Sequence, residues 1–519
     1  MKKKIKKNSF FRSAFIVSGL TLVSRFTGLF RDILISNVLG ISFVADAFFM
    51  ALRLPNVFRR ITAEGAFSSA FIPIFLKFFS GSKNKAITFA QEVLYFLIIS
   101  ITAITCLLQV LMPLVMYLMA YGFSDDPIKF NLTIIYAQIT APYILFISLS
   151  SLGVGILNSL GKYSVTSLSP IILNIFLIVA LLLPIKDIIL TGYILAFAVT
   201  ISGIFQFTLI IFALKRSGYS LKLKKPKNYN KINKFLDRAK PQIGNGFALQ
   251  VNILISGLIA SFEQGGISTL YYAERLYQLP LALFGLSIGT VLLPTLSSLD
   301  PRKDLEEINI VIKKSLRFAL IMSIPSAIGL SMVSIPLIEA IYQHGLFNSL
   351  NTLIVSKTLI AFSFGLPAFV LIKIYLPIFY SLGDTKSPFR YSLVSIIINI
   401  ALALLLFPKY GIIGLAISTS LSSWVNLFLL INKLKDSTIS IFLMKLDIDL
   451  LKIIIASFLM SLIIYFCSIL MIDLSGILFL SILILTGVIS YFLILFLLGV
   501  LSKNDIPSII RNIIFKEIV

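Results

Sequence analysis

The sequence predicts an all-α polytopic membrane protein: fourteen transmembrane helices, forming two six-helix lobes and two extra C-terminal helices. Three observations lead there. Hydrophobic residues make up 58% of the 519 residues and charged residues 13%, with a mean hydropathy of +0.99, where a soluble domain carries about 25% charge. Apolar stretches of about 20 residues, the length that crosses a bilayer, recur from end to end. Basic residues gather in alternate short loops, as in the cytoplasmic loops of membrane proteins.

The spans are expected at about 9–36, 44–78, 87–121, 131–160, 165–184, 188–214, 241–262, 268–297, 311–343, 352–382, 388–407, 411–433, 448–471 and 475–500. The start, MKKKIKKNSFF, resembles a signal-peptide n-region, but Arg12 interrupts the apolar run and no small-x-small cleavage site follows. It reads as an uncleaved first span with the N-terminus in the cytoplasm, and an even count returns the C-terminus there. The outer loops then hold Lys129, Lys186 and Lys409. The inner loops hold Lys83, Lys85, Lys162, the run from Lys222 to Lys240, Arg302, Lys303, Lys386, Arg390 and the run from Lys433 to Lys445. The outer loops are too short for an extracytoplasmic catalytic domain. Residues 1–216 form the N-lobe, 217–240 a basic cytoplasmic linker, 241–436 the C-lobe, and 437–519 the last two helices with a cytoplasmic tail. The KINKFLDRAK part of the linker has an amphipathic pattern, suited either to the anionic inner leaflet or to a plain solvated linker.

A weak internal repeat supports the two lobes. Ser159-Leu160-Gly161 recurs as Ser381-Leu382-Gly383, and Ala51-Leu52-Arg53-Leu54 meets Ala273-Glu274-Arg275-Leu276, both at an offset of 222 residues. Pro73 pairs with Pro294 at 221, and Asn174 with Asn399 at 225. The offset pairs helix 1 with helix 7, so the copies share one orientation. A pseudo-two-fold along the membrane normal, with a cavity between the lobes, is the expected relation.

A charged residue at mid-span costs about 2.5–3.5 kcal/mol on insertion scales, so several in one chain point to a functional cavity. Helix 1 carries Arg25, Arg31 and Asp32; helix 8 carries Glu274 and Arg275; helix 10 carries Lys373. Arg31 lies nine residues before Gly40, and Arg275 nine after Gly266. Both are therefore expected about 14 Å below the outer face. Helix 2 carries Asp46, Arg53, Arg59, Arg60 and Glu64 around Pro55. Arg60 and Glu64 are spaced to pair, with internal pairing and function equally open there; Arg53 and Arg60 share a face. Asn158, Asn245, Gln250 and Asn252 are candidate polar lining. Arg25, Arg31, Arg275 and Lys373 outnumber their acidic partners Asp32 and Glu274. Arginine offers a forked donor suited to phosphate oxygens. The expected substrate is an anionic, phosphorylated amphiphile.

Other classes are excluded or demoted. Lys and Arg number 45 against 22 Asp and Glu, a net +23, which the positive-inside rule explains without nucleic acid. Cys106 and Cys467 lie in apolar runs, and His344 is the single histidine, at an outer helix end. Trp424 and the many Phe residues read as packing. With no P-loop, no GxSxG and no metal-ligand cluster, neither an enzyme nor a bound metal or cofactor is expected. A membrane-embedded glycosyltransferase would have to draw its acid from Asp125 or Asp126, which no motif supports.

The segments SRFTGLFRDILISNVLG (24–40), ADAFFMALRLPNVFRRITAEGAFSSAFIP (45–73), GILNSLGKYSVTSLSPIILN (155–174), YYAERLYQLPLALFGLSIGTVLLP (271–294) and LPAFVLIKIYLPIFYSLGDTKSP (366–388) closely resemble the MurJ (MviN) family of lipid II flippases. The resemblance covers essentially the whole chain and is most specific in the helix-2 segment. The family belongs to the multidrug/oligosaccharidyl-lipid/polysaccharide exporter superfamily. The resemblance implies two lobes around a cationic cavity, a groove along the last two helices for the lipid tail, and alternating access. Lipid II would cross the cytoplasmic membrane for peptidoglycan synthesis, driven by membrane potential or a cation gradient. The family's cavity arginines match Arg25, Arg31 and Arg275, with Asp32 as the acidic partner. The helix-2 charges match Asp46, Arg59, Arg60 and Glu64, and the helix-10 cation matches Lys373. A monomer among membrane lipids, working beside the cell-wall synthesis machinery, is the expected setting. Export of another lipid-linked glycan or of a drug is the alternative within the superfamily.

Overall fold

The computed structural model describes residues 7–62, 66–226, 229–300, 303–435, 448–471 and 476–501, without side-chain detail at 7–18, 62, 66–69, 231, 238 and 241–249. Among the described residues the regular structure is helical. That follows from the composition, because lipid offers no hydrogen bonds and a helix satisfies its backbone internally. Among the described residues, ten helical stretches are long and apolar enough to cross a membrane.

The chain forms two compact units. The first is Met1–Ser268 with Gly345–Phe347; the second is Thr269–His344 with Asn348–Val519. In the first unit run α1 (Lys7–Leu39), α2 (Phe43–Thr62), α3 (Ala66–Gly81), α4 (Lys83–Met119), α5 (Pro127–Thr140), α6 (Pro142–Ser159), α7 (Tyr163–Leu181), α8 (Ile188–Arg216) and α9 (Asn230–Ala260). The helix starts follow from local chemistry. Asp126 accepts hydrogen bonds from the N–H groups of Ile128 and Lys129, both at 3.1 Å, ahead of α5. Asp187 does the same for Ile189 at 2.8 Å, ahead of α8. Each side chain satisfies N–H groups that a helix leaves without internal partners.

The expected single span over 44–78 is helical as α2 and α3 on either side of residues 63–65, which lie outside the described residues, and α2 contains Pro55, which removes one ladder hydrogen bond. The expected linker differs. Helix α9 already begins at Asn230, and Ile232, Phe235 and Ala239 are buried. The Phe235 ring meets Phe71 of α3 edge-on at 6.5 Å. The apolar face of KINKFLDRAK is spent on protein rather than on a leaflet. The residues 241–262, expected to open the C-lobe, group with the first unit.

The second unit holds most of α10 (Gly266–Pro280), a π-helical turn (Leu281–Leu286), α11 (Ser287–Ser297), α12 (Leu305–Met332), α13 (Ser334–Tyr342), α14 (Ser349–Ser381), α15 (Lys386–Lys435), α16 (Ile448–Leu470) and α17 (Gly476–Leu497). Its core runs along α14, where Leu366, Val370, Ile374 and Ile378 are fully buried, against Ala319 of α12 and Leu430 of α15. The stretch expected as two spans, 388–407 and 411–433, is one helical run broken at Gly411, whose φ of 54° and ψ of −136° are not helical. The chain reverses there. The hydroxyl of Ser395 donates to the carbonyl of Ser422 at 2.8 Å, whereas a straight helix would hold residues 27 apart about 40 Å from each other.

Two helix ends repeat in detail. After α6, Gly161 has φ 74°, and the N–H of Lys162 bonds the Leu157 carbonyl at 2.9 Å. After α14, Gly383 has φ 76°, and the N–H of Asp384 bonds the Phe379 carbonyl at 3.0 Å. Both are left-handed caps that favour glycine, so the repeated Ser-Leu-Gly has a structural cause.

Candidate functional site

In the first unit the intramembrane charges are mostly engaged. Arg31, on α1, is 7% exposed, and its Nη2 lies 2.6 Å from Oδ1 of Asp32. Its Nη1 donates to Oδ1 of Asn174 on α7 at 2.8 Å. The Asn174 amide in turn donates to the Ser24 carbonyl and the Thr27 hydroxyl, both at 3.1 Å. Arg31 therefore ties α1 to α7, with its charge balanced by Asp32. Arg25, two turns earlier on α1, is exposed. Asp32, expected to share a face with Arg25, is turned to Arg31.

Asp46 begins α2 with 0% exposure. Its carboxylate takes the Lys129 ammonium of α5 at 2.6 Å and accepts from Gly265 N at 2.8 Å, Ser268 N at 2.9 Å and Ser268 Oγ at 2.7 Å. Gly265 immediately precedes α10 and Ser268 lies in its first turn, where a carboxylate also meets the positive end of the helix dipole. Lys129 stands 3.9 Å from the centre of the Phe123 ring. Expected as an outer-loop cation, Lys129 is 5% exposed inside α5, so it leaves the count of outer positive charges. A buried charge is tolerable when paired and hydrogen-bonded; Asp46 takes four donors, and the Lys129 ammonium has the Asp46 carboxylate and the face of Phe123.

The rest of α2 reaches α9. Arg53 donates through Nη1 to the Ile253 carbonyl at 2.8 Å, and Arg60 through Nη1 to Oε1 of Gln250 at 3.3 Å. The expected common face of Arg53 and Arg60 is the face toward α9. Gly257 makes room there, because a Cβ would overlap the Arg53 guanidinium. Arg59 lies 3.5 Å from Oδ1 of Asn56. Asn158 accepts from the Thr166 hydroxyl at 3.1 Å, and Asn252 is half-buried on α9. Glu64 and the side chain of Asn245 fall outside the described residues, as does the Arg60–Glu64 pairing.

In the second unit Arg275 is half-buried on α10. Its Nη2 donates to the Tyr271 hydroxyl at 3.1 Å, and its guanidinium lies 5.1 Å from the centre of that ring. Glu274 is half-buried beside it. Lys373 is half-buried on α14, opposite the π-helical turn and α11. A Cβ at Gly289 would stand 2.7 Å from the Lys373 carbonyl, and one at Gly285 would stand 3.4 Å from its Cγ. The two glycines let this stretch lie directly on the Lys373 backbone.

A profile of the family described as lipid II flippase MurJ matches residues 35–486. The chain belongs to the MurJ family. A probable lipid II flippase MurJ of Rhizobium tropici is 37% identical over 415 residues, 79% of this chain and 78% of that one. The Rickettsia prowazekii protein of the same description is 37% identical over 420 residues, covering 81% and 83%. Among solved structures, a lipid II flippase MurJ in an inward closed conformation is similar with a TM-score of 0.78 and 30% identity, covering 92% of this chain and 98% of that one. An inward-facing multidrug resistance MATE family transporter of the MOP superfamily shares the fold at a TM-score of 0.67 and 14% identity. As a MurJ-family chain with ten apolar helical stretches among its described residues, this is a multi-pass membrane protein.

Sequence reasoning missed Lys129 as the partner of Asp46, 83 residues away, and no local signal joins them. It also missed Ser268 and Tyr271. Asn174 stood out only as a repeat marker. A lone Asn in the apolar run ILNIFLIV was the available hint.

Proposed function

We propose that this MurJ-family chain flips lipid II, the undecaprenyl-diphosphate-linked disaccharide-pentapeptide, from the inner to the outer leaflet of the bacterial cytoplasmic membrane. One observation carries the residue assignment. Arg31 is neutralised by Asp32 and buried, while Arg25 is exposed on the same helix. Arg25, Arg275 and Lys373 are then the phosphate contacts, and Arg31 with Asp32 is the support that positions α1. Arg53, Arg59, Arg60 and Asp46 hold α2 in place, and Glu64, Glu274, Asn158, Asn245, Gln250 and Asn252 are polar neighbours of the translocation route.

The topology in this reading has fourteen crossings. α2 with α3, α5 with α6, α10 with α11, and α12 with α13 each count once, and α15 counts twice because it reverses at Gly411. The matching caps at Gly161 and Gly383 support two lobes related by a pseudo-two-fold, followed by α16 and α17. Both termini lie in the cytoplasm, and the chain works as a monomer. Alternating access needs two bodies that keep their own packing, and each compact unit has its own buried core. An inward-negative potential favours outward movement of the diphosphate by about 2.3 kcal/mol per charge per 100 mV.

The test is accessibility of lipid II to an outer-leaflet probe in cells depleted of this protein. Wild type is expected to restore accessibility, and Arg275→Ala, at equal expression, is not. Restoration by Arg275→Ala would refute the assignment of that cation. Undiminished outer lipid II on depletion would refute the proposed cargo.

A further inference from the structure

Tyr271 stands four residues before Arg275, so the two share a face of α10. Arg275 Nη2 donates to the Tyr271 hydroxyl at 3.1 Å, and its guanidinium lies over the Tyr271 ring, 5.1 Å from the centre. One residue therefore holds the cation twice, at the hydroxyl and at the ring face. We propose that Tyr271 is a positioning residue, which aims the Arg275 guanidinium at the cargo's diphosphate. This role rests on the phosphate contact assigned to Arg275 above.

The Tyr271 ring is itself braced. It meets the Tyr272 ring nearly edge-on, at 81° and 5.8 Å between centres, an arrangement aromatic pairs favour. The Tyr272 ring lies 5.0 Å from that of Tyr342, the last residue of α13, and both of these tyrosines are fully buried. Two buried rings thus back the half-buried Tyr271 and tie it to α13. Rings packed at interior density leave little freedom to rearrange, so the support under Arg275 is a fixed one.

Orientation matters because an arginine side chain loses much rotamer freedom when it grips a ligand. Tyr271 imposes that loss in the folded protein, before the cargo arrives, which is preorganisation. One N–H of the guanidinium goes to the hydroxyl, and that bond together with the ring face sets the direction of the fork. A phenol does this without a charge of its own that would compete with phosphate. Arg31 is held differently, by the carboxylate of Asp32 and the amide of Asn174. Stacking on a sugar of the cargo is the competing use of a half-buried tyrosine, and the two uses differ in which ligand feels its loss.

The test is native mass spectrometry of the purified full chain, titrated with lipid II and, separately, with undecaprenyl diphosphate, which has no sugar. Tyr271→Phe keeps the ring and loses the hydroxyl, and should weaken both ligands about fivefold. Tyr271→Leu loses both holds and should weaken both about thirtyfold. In an Arg275→Ala background Tyr271→Phe should weaken binding no further, whereas in a Lys373→Met background it should still cost its fivefold. A merely structural role predicts the same loss in both backgrounds, and that result overturns the positioning role alone. Weakening of lipid II with undecaprenyl diphosphate unaffected also overturns it, by making the ring a sugar contact. Arg275→Ala binding both ligands as tightly as wild type overturns the phosphate contact assigned to Arg275 and this role with it. The Tyr271→Phe arms decide the outcome whatever the folding of Tyr271→Leu.

Discussion

Replacing either partner of the buried Asp46–Lys129 pair should destabilise the first unit more than replacing both. Lys129→Met keeps the length of the side chain but leaves a carboxylate with 0% exposure and no counter-charge. Breaking a buried pair costs about 3–5 kcal/mol. The low end, about 3 kcal/mol, applies here, because Gly265 N, Ser268 N and Ser268 Oγ still donate to Asp46. Asp46→Asn strands the Lys129 ammonium with the Phe123 ring as its remaining electrostatic neighbour, and the upper part of that range, about 4 kcal/mol, is expected. The double variant has no buried charge and should lose only about 2 kcal/mol, the share of the hydrogen bonds that Asn replaces poorly. The coupling energy is then about 5 kcal/mol, far beyond the few tenths expected of independent sites. Unfolding of the purified protein in detergent, followed by circular dichroism, measures it. The double variant should melt above both single variants. Additive losses would refute the claim that the two charges exist for each other.

Four further outcomes follow from the geometry. Asn174→Ala removes the acceptor for Arg31 Nη1 and both donors to α1, and should lower stability by about 2 kcal/mol in the same melt. Gly257→Leu forces the Arg53 guanidinium off the Ile253 carbonyl and should cost about 1–3 kcal/mol. Arg275→Lys keeps the charge but loses the fork that meets Tyr271 and phosphate oxygens, so it should support growth less well than wild type and better than Arg275→Ala in a depletion strain. Asp384 lies in the loop before α15, and hydrogen bonds from the Ser387 hydroxyl and backbone hold its carboxyl below the ordinary carboxylate value. A lowered folded-state value means that its stabilisation is full above about pH 4 and fades as pH falls through the folded value. Asp384→Asn should therefore be slightly less stable than wild type at pH 7, and the gap in melting temperature should narrow as pH falls below about 4.

Much of the fold was legible because a bilayer allows few solutions. A run such as ILFLSILILTGVISYFLILFLLGV can only be a helix at membrane depth, and α17 covers it from Gly476. The reversal at Gly411 was legible too, since Pro408 and Gly411 punctuate a long apolar run. The early start of α9 was not. There Phe235 of α9 packs on Phe71 of α3, a contact between residues 164 apart. Composition separates polar from apolar stretches, but an amphipathic segment can satisfy its apolar face on lipid or on protein.

The intramembrane charges divide in the same way. That Arg31, Asp46, Arg275 and Lys373 stand inside apolar helices is a property of the sequence alone. Insertion energetics makes each one a residue with a purpose, and the family resemblance says what purpose the whole chain serves. Which charges are spent holding helices together is a tertiary matter. Arg31 closes on Asp32 and Asn174, and Asp46 on Lys129 and the α10 N-terminus. Arg25 stays exposed. A charge in low dielectric must find its counter-charge within a few ångströms, and in a helical membrane protein that partner usually comes from another helix, at a sequence distance that no local pattern encodes.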